Sequence, residues 1–177
     1  MFQSVDRKPA RELANLLFNT CILDDLGPIV KQWREHYRSS STFEIDTFEQ
    51  HVFIYLAANV VVGLTNEHSR RPAIVHVISH LKPLIENELN RRWMLSENEV
   101  ADLIEAAGSH LARLLFTDPN VEVGLAFDWA KEWLSQNGIE ESNPITLFKF
   151  SFSWKNRYLF FAKLLSELPD DQFIDSA

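Results

Sequence analysis

The residues best equipped for chemistry lie between positions 71 and 80. His76 and His80 stand four apart in a segment with helical spacing. Two imidazoles one helical turn apart can share a metal ion. The pair falls off the apolar stripe of Ile74, Ile78 and Ile85, so a metal there needs a third ligand from elsewhere. His51, Glu49 and His110 are the candidates. His110 itself shares a face with Leu103, Ala107 and Leu114, which reads as a hydrogen-bonded core position. Cys21 is the only cysteine, which excludes an intrachain disulfide and a cysteine-based zinc site.

Arg71 and His76 form an Arg-x4-His pattern at the start of the same segment. It resembles the Arg-polar-x3-His motif of the HEPN family of helical ribonucleases. The resemblance implies that Arg71 would hold the scissile phosphate and that His76 would act as general acid and base, without a metal. It covers six residues and departs at Pro72, where that family carries a polar residue. The chain has no Walker loop, dinucleotide fingerprint, nucleophile elbow or His-Glu-x-x-His. Kinase, nicotinamide and serine-hydrolase chemistry therefore have no motif to rest on.

The charge is uneven. The net charge is -8, and residues 96–143, with 10 acidic and 2 basic side chains, carry all of that excess. Such a balance repels a nucleic-acid backbone, and the basic residues Arg70, Arg71, Lys82, Arg91 and Arg92 are too sparse to reverse it. Within the acidic segment Glu97, Glu99, Asp102 and Glu105 fall outside the Val100, Leu103 and Ala107 stripe, where they could meet a basic partner.

The elements that must position these groups are helical almost throughout. Apolar residues recur every three or four positions over 9–25, 28–38, the stretch ending at Leu64, and 72 onward. Gly27-Pro28 reads as a stop and restart, and Pro83 as a kink or break. Ser96 and Glu99 form a capping box. Asp118-Pro119 and Asn143-Pro144 each start a helix, and Asn137-Gly138 ends one. Residues 148–154 alternate like a strand, but no second alternating run could pair with them. Phe150, Trp154, Tyr158, Phe161 and Leu165 keep helical spacing, so the segment is assigned to a helix. Val52 to Leu64 is an apolar stretch of thirteen residues, short of the roughly 20 a membrane span needs. The N-terminus has no apolar signal-peptide core.

These patterns predict an all-α fold: one helical domain over residues 1–177, a compact bundle of seven to eight helices, with a frayed acidic tail from about 169. At 177 residues and 46% hydrophobic content, such a chain buries roughly 70% of its unfolded surface. The two segments around Trp129 and Trp133 and around Phe148, Phe152 and Leu159 are apolar on more than one side. Trp129 and Trp133 are accordingly candidate interface anchors beside the four carboxylates. The expectation is a non-enzymatic, cytoplasmic binding module without cofactor, acting on a protein partner with a basic surface, as an inhibitor, immunity-type protein or adaptor does. The alternatives are the ribonuclease of Arg71 and His76 and the metal site of His76 and His80.

Overall fold

The computed structural model describes residues 8–40, 42–116 and 123–175. Among them every regular element is helical. Helix α1 spans Pro9–Tyr37, α2 Ile45–His68, α3 Ile74–Trp93, α4 Glu97–Leu115, α5 Val123–Ser135 and α6 Pro144–Glu167. A 3-10 turn, Asp170–Phe173, follows. The start expected at Asp118-Pro119 lies outside the described residues.

Six long helices replace the seven to eight expected because α1 runs straight through Gly27-Pro28. Both residues are exposed, as is Asp24, whose carbonyl Pro28 orphans, so water can satisfy it. Leu26 and Ile29 meanwhile anchor the helix on either side. One segment of α1, Phe18–Leu23, is underwound into the wider π-helix and closes with the Asp24 N–H bonded to the Asn19 carbonyl. Pro83 likewise produces no break. It is exposed, and Leu81 and Ile85 hold both flanks of α3 in the core. In both places tertiary burial outweighs a local loss of about 3 kcal/mol.

Helix α2 is the axis of the molecule. Phe48 and every residue from Val52 to Val60 are buried, as are Gly63 and Leu64, so the helix is covered on all sides. Helices α1, α3, α4 and α6 pack around it, α5 seals the gap between α4 and α6, and α1 pairs with α3. Helices Pro9–Tyr37 and Ile45–His68 are long and apolar enough to cross a membrane by length and composition. Here 44% and 67% of their most apolar windows are buried in protein.

The core is aromatic at one end. Trp133 is fully buried, with the Phe150 ring 4.9 Å away and the Tyr55 and Phe48 rings each at 5.4 Å. Edge-to-face and offset contacts at these spacings add to area burial. Trp129, 1% exposed, donates its Nε1–H to the His110 carbonyl at 2.8 Å. Neither tryptophan can therefore anchor a partner from the surface. The two segments apolar on more than one side are divided, with Trp129 and Trp133 facing inward and Leu125, Phe148 and Phe152 outward.

Local signals agree with the fold elsewhere. The Ser96 hydroxyl accepts from the Glu99 N–H while Glu99 Oε2 accepts from the Ser96 N–H at 2.8 Å, a complete capping box. Asn143 caps α6 through the Ile145 N–H at 2.9 Å. Helix α5 ends in a Schellman motif, Ile139 N–H to Leu134 O and Gly138 N–H to Ser135 O. Gly138 has φ of 71°, and a Cβ there would collide with the Thr42 carbonyl oxygen. Residues 148–154 are helix, with Phe150 and Trp154 in the core. The tail departs from the fraying expected. Phe173 is fully buried, the Arg71 guanidinium lies over its ring, and Asp175 meets both α1 and α3.

Candidate functional site

An apolar groove of about 560 Å³ lies between α3 and α4, floored by α2. Val61 and Val62 form its floor, Ile78 and Ile85 one wall, and Ile104 and Phe116 the other. It exists because α3 and α4 meet only at a short connection. That connection is Met94 to Ser96, where Met94 takes φ of 57°, its N–H bonds the Asn90 carbonyl, and Asn90 Nδ2 bonds Leu95 O at 3.0 Å. Beyond this hairpin the α4 wall is lined by Ala101, Gly108 and Ala112, too small to reach across. A Cβ on Gly108 would already sit 3.4 Å from Val62 Cγ2.

Carboxylates border this groove. Glu86 and Glu105 line it, with Lys82 paired to Glu86 at 3.6 Å. The four predicted carboxylates of α4 are all exposed, but they divide by face. At about 3.6 residues per turn, Glu97 and Glu105 share the groove side with Ala101 and Gly108, whereas Asp102 and Glu99 point away. Glu99 is also committed to the cap, and its hydrogen bonds from Ser96 hold its carboxyl below the usual range. Sequence reasoning missed the groove itself. Its signal was present as small residues at 101, 108 and 112 beside Ile104, helical spacing along a face of α4 distinct from the buried stripe.

Arg71 and His76 are placed differently from one another. The Arg71 guanidinium donates from Nη1 to Leu165 O at 3.0 Å and Leu168 O at 2.6 Å, and from Nη2 to Ser166 O at 3.1 Å. Its Nε lies 3.5 Å from Glu67 and 3.4 Å from Asp170. It closes the C-terminus of α6, where the last carbonyls and the helix dipole favour a cation. His76 is exposed one turn into α3, and its ring has no hydrogen bond among the described residues. His80 donates its Nε2–H to Asp175 Oδ2 at 2.6 Å. Among the described residues no three His, Cys, Asp or Glu side chains converge as metal ligands. Of the third ligands considered, Glu49 pairs with Arg92, His51 with Asn137, and His110 with Tyr55. Arg91 and Arg92 both bind Glu88, whose carboxyl they pull down to about 2.

A second polar cluster surrounds His110, 8% exposed. Its ring stacks on Trp129 with centroids 5.0 Å apart. Nε2 faces Glu132 Oε2 at 3.3 Å, within ion-pair range but short of hydrogen-bond geometry, and Nδ1 lies 2.7 Å from the Tyr55 hydroxyl. With a carboxylate beside Nε2, the proton sits there and Nδ1 accepts from Tyr55. Burial pushes the His110 pKa down against the pull of Glu132, and burial lowers that of His51 too. Both rings then take protons more readily in the unfolded chain, whose histidines titrate near 6.5. Below about pH 6.5 the unfolded state binds more protons, so stability falls with pH through the lower folded values. Urea midpoints at pH 7.5 and 5.5 should differ in that direction, and His51→Gln with His110→Gln should flatten the difference. An unchanged slope in the double variant would assign the acid sensitivity to other groups.

The class defined by fold and geometry is thus an all-helical bundle with an open apolar groove flanked by acidic side chains. Comparison with protein-family models, with curated proteins and with solved structures finds no match to this chain.

Proposed function

We propose that the protein is a non-enzymatic binding module whose groove between α3 and α4 receives an amphipathic helix with basic flanks from a protein partner. The observation that carries this reading is the groove itself, about 560 Å³ of largely apolar concavity with Glu105 on its α4 wall and Glu86 on its α3 wall. A helix laid in a hydrophobic groove presents side chains at i, i+3, i+4 and i+7, and three parallel walls of aliphatic side chains suit that pattern. Glu97 and Glu105 select for Lys or Arg beside the partner's apolar stripe, which speeds encounter and fixes register. The excess of acidic charge over residues 96–143 supports the same sign of partner. A cytoplasmic setting fits the single cysteine. The donors of Arg71 that a ribonuclease would aim at phosphate are directed at carbonyls, so the ribonuclease reading has no comparable support.

The test uses a leucine-lysine amphipathic peptide of about 18 residues, five helical turns. It should bind saturably and perturb the methyl resonances of Val61, Val62, Ile78 and Ile104. Ala101→Arg adds bulk and positive charge at an exposed wall position, where stability should change by within about 0.5 kcal/mol. It should weaken binding by about tenfold or more. Reversing Glu97 and Glu105 together should slow association and reduce its salt dependence. Glu99 is left intact because it caps the helix. Peptide affinity unaffected by Ala101→Arg would place the binding surface elsewhere.

A further inference from the structure

A second cleft opens on another side of α2, between the π-helical stretch of α1 and the C-terminal half of α6. Its volume is about 530 Å³. Helices α1 and α6 hardly touch here, and an ion pair from Arg157 Nη1 to Asp25 Oδ2 bridges them. Leu56, Val60, Phe161 and Leu164 give the cleft its apolar lining, with Phe160 at 72% exposure beside them. Its polar lining comes from Thr20, Asp25, Asn59, Ser153, Asn156 and Arg157.

Asn59 is the informative residue. It stands in the most apolar helix of the chain, 4% exposed, and its Nδ2 has no hydrogen-bond partner among the described residues. A buried amide without an acceptor is costly, and an aliphatic side chain of similar size would avoid that cost. The Arg157 guanidinium is incompletely used as well. Only Nη1 is engaged, and its Nε and Nη2 have no partner among the described residues. That remaining edge is the one that takes a carboxylate through two parallel hydrogen bonds. The π turns at Thr20 and Cys21 form the facing wall, and such turns recur where a helix meets a ligand.

From these features we infer that the cleft binds a small amphipathic carboxylate. Its carboxylate sits on the Nε/Nη2 edge of Arg157 with an oxygen for Asn59 Nδ2, and its hydrocarbon body lies against Leu56, Val60 and Leu164. The volume lies within the range of metabolite-sized pockets. The site is separate from the groove between α3 and α4, and either can be occupied without the other.

Octanoate is the probe, with octanol and octylamine as controls. Octanoate should bind saturably, shift the methyl signals of Leu56, Val60 and Leu164, and slow alkylation of Cys21, the only cysteine, at the cleft wall. Octanol and octylamine should bind at least about tenfold more weakly, as loss of a charge-assisted pair requires. Arg157→Gln should reduce octanoate affinity about tenfold and leave octanol unchanged. Asn59→Leu should raise the melting temperature of the unliganded protein while weakening octanoate, a combination that a purely structural asparagine would not give. No saturable octanoate binding, or equal binding by wild type, Arg157→Gln and Asn59→Leu, overturns the assignment. Preference for octylamine would also overturn it, because Asp25 and not Arg157 would then be the recognition element.

Discussion

Trp133→Ala is expected to lower the unfolding free energy by about 3–5 kcal/mol, the range for deleting a large aromatic from a packed core. Trp133 is fully buried and holds Phe48, Tyr55 and Phe150 in one cluster, joining α2, α5 and α6. For a chain of this size that corresponds to a melting-temperature drop on the order of 10 °C. Trp133→Phe should cost much less, because it keeps most of the ring contacts and removes a buried Nε1–H that has no partner among the described residues. Urea denaturation of both variants gives the comparison. A loss below about 1 kcal/mol in Trp133→Ala, typical of ordinary substitutions, would return this residue to the list of surface anchors.

Arg71→Ala should cost about 2–3 kcal/mol, since it strips a charged donor from three carbonyls at once. Leu165, Ser166 and Leu168 all lose that partner, and Phe173 loses the cation over its ring. The tail should detach first, so proteolysis near residues 168–173 should accelerate more than global unfolding does. Arg71→Lys should recover little, because one ammonium cannot match a fork that reaches three carbonyls. A ribonuclease would respond differently, with cleavage lost and stability retained. Unchanged unfolding in Arg71→Ala would contradict the clamp.

The helical character of this chain was legible wherever a local rule and the core agreed. Ser96 and Glu99, Asn137-Gly138 and Asn143-Pro144 each set a helix end by backbone chemistry that needs no neighbour. The alternating run 148–154 resolved correctly because Phe150 and Trp154 continue a stripe that reaches Leu165. Gly27-Pro28 misled because whether a proline ends a helix depends on which side faces water, and that is decided by α2. Trp129 and Trp133 misled for a related reason. A two-sided apolar helix reads the same whether its second side meets another helix or a partner. For the candidate sites, the α4 carboxylates were visible as residues, but the groove they flank is a gap between helices, and the small residues Ala101, Gly108 and Ala112 mark one wall of it without showing that the opposite wall stands back. In the sequence Asn59 is only a polar residue within the apolar stretch Val52 to Leu64. Its lack of a partner is a property of three helices together.

The burial of α2 on all its sides also has a consequence for synthesis. Its last residue is His68, and α6, which completes its cover, ends at Glu167, 99 residues later. At translation rates of roughly 5–20 residues per second, that is an interval of about 5–20 s. Throughout it, a 24-residue helix apolar enough to pass for a membrane span has only part of its cover, because α1 precedes it but α6 is not yet complete. The nascent chain therefore depends on whatever shields that helix at the ribosome. Synonymous changes that slow elongation between residues 68 and 167 should lower the yield of folded protein without altering a single side chain.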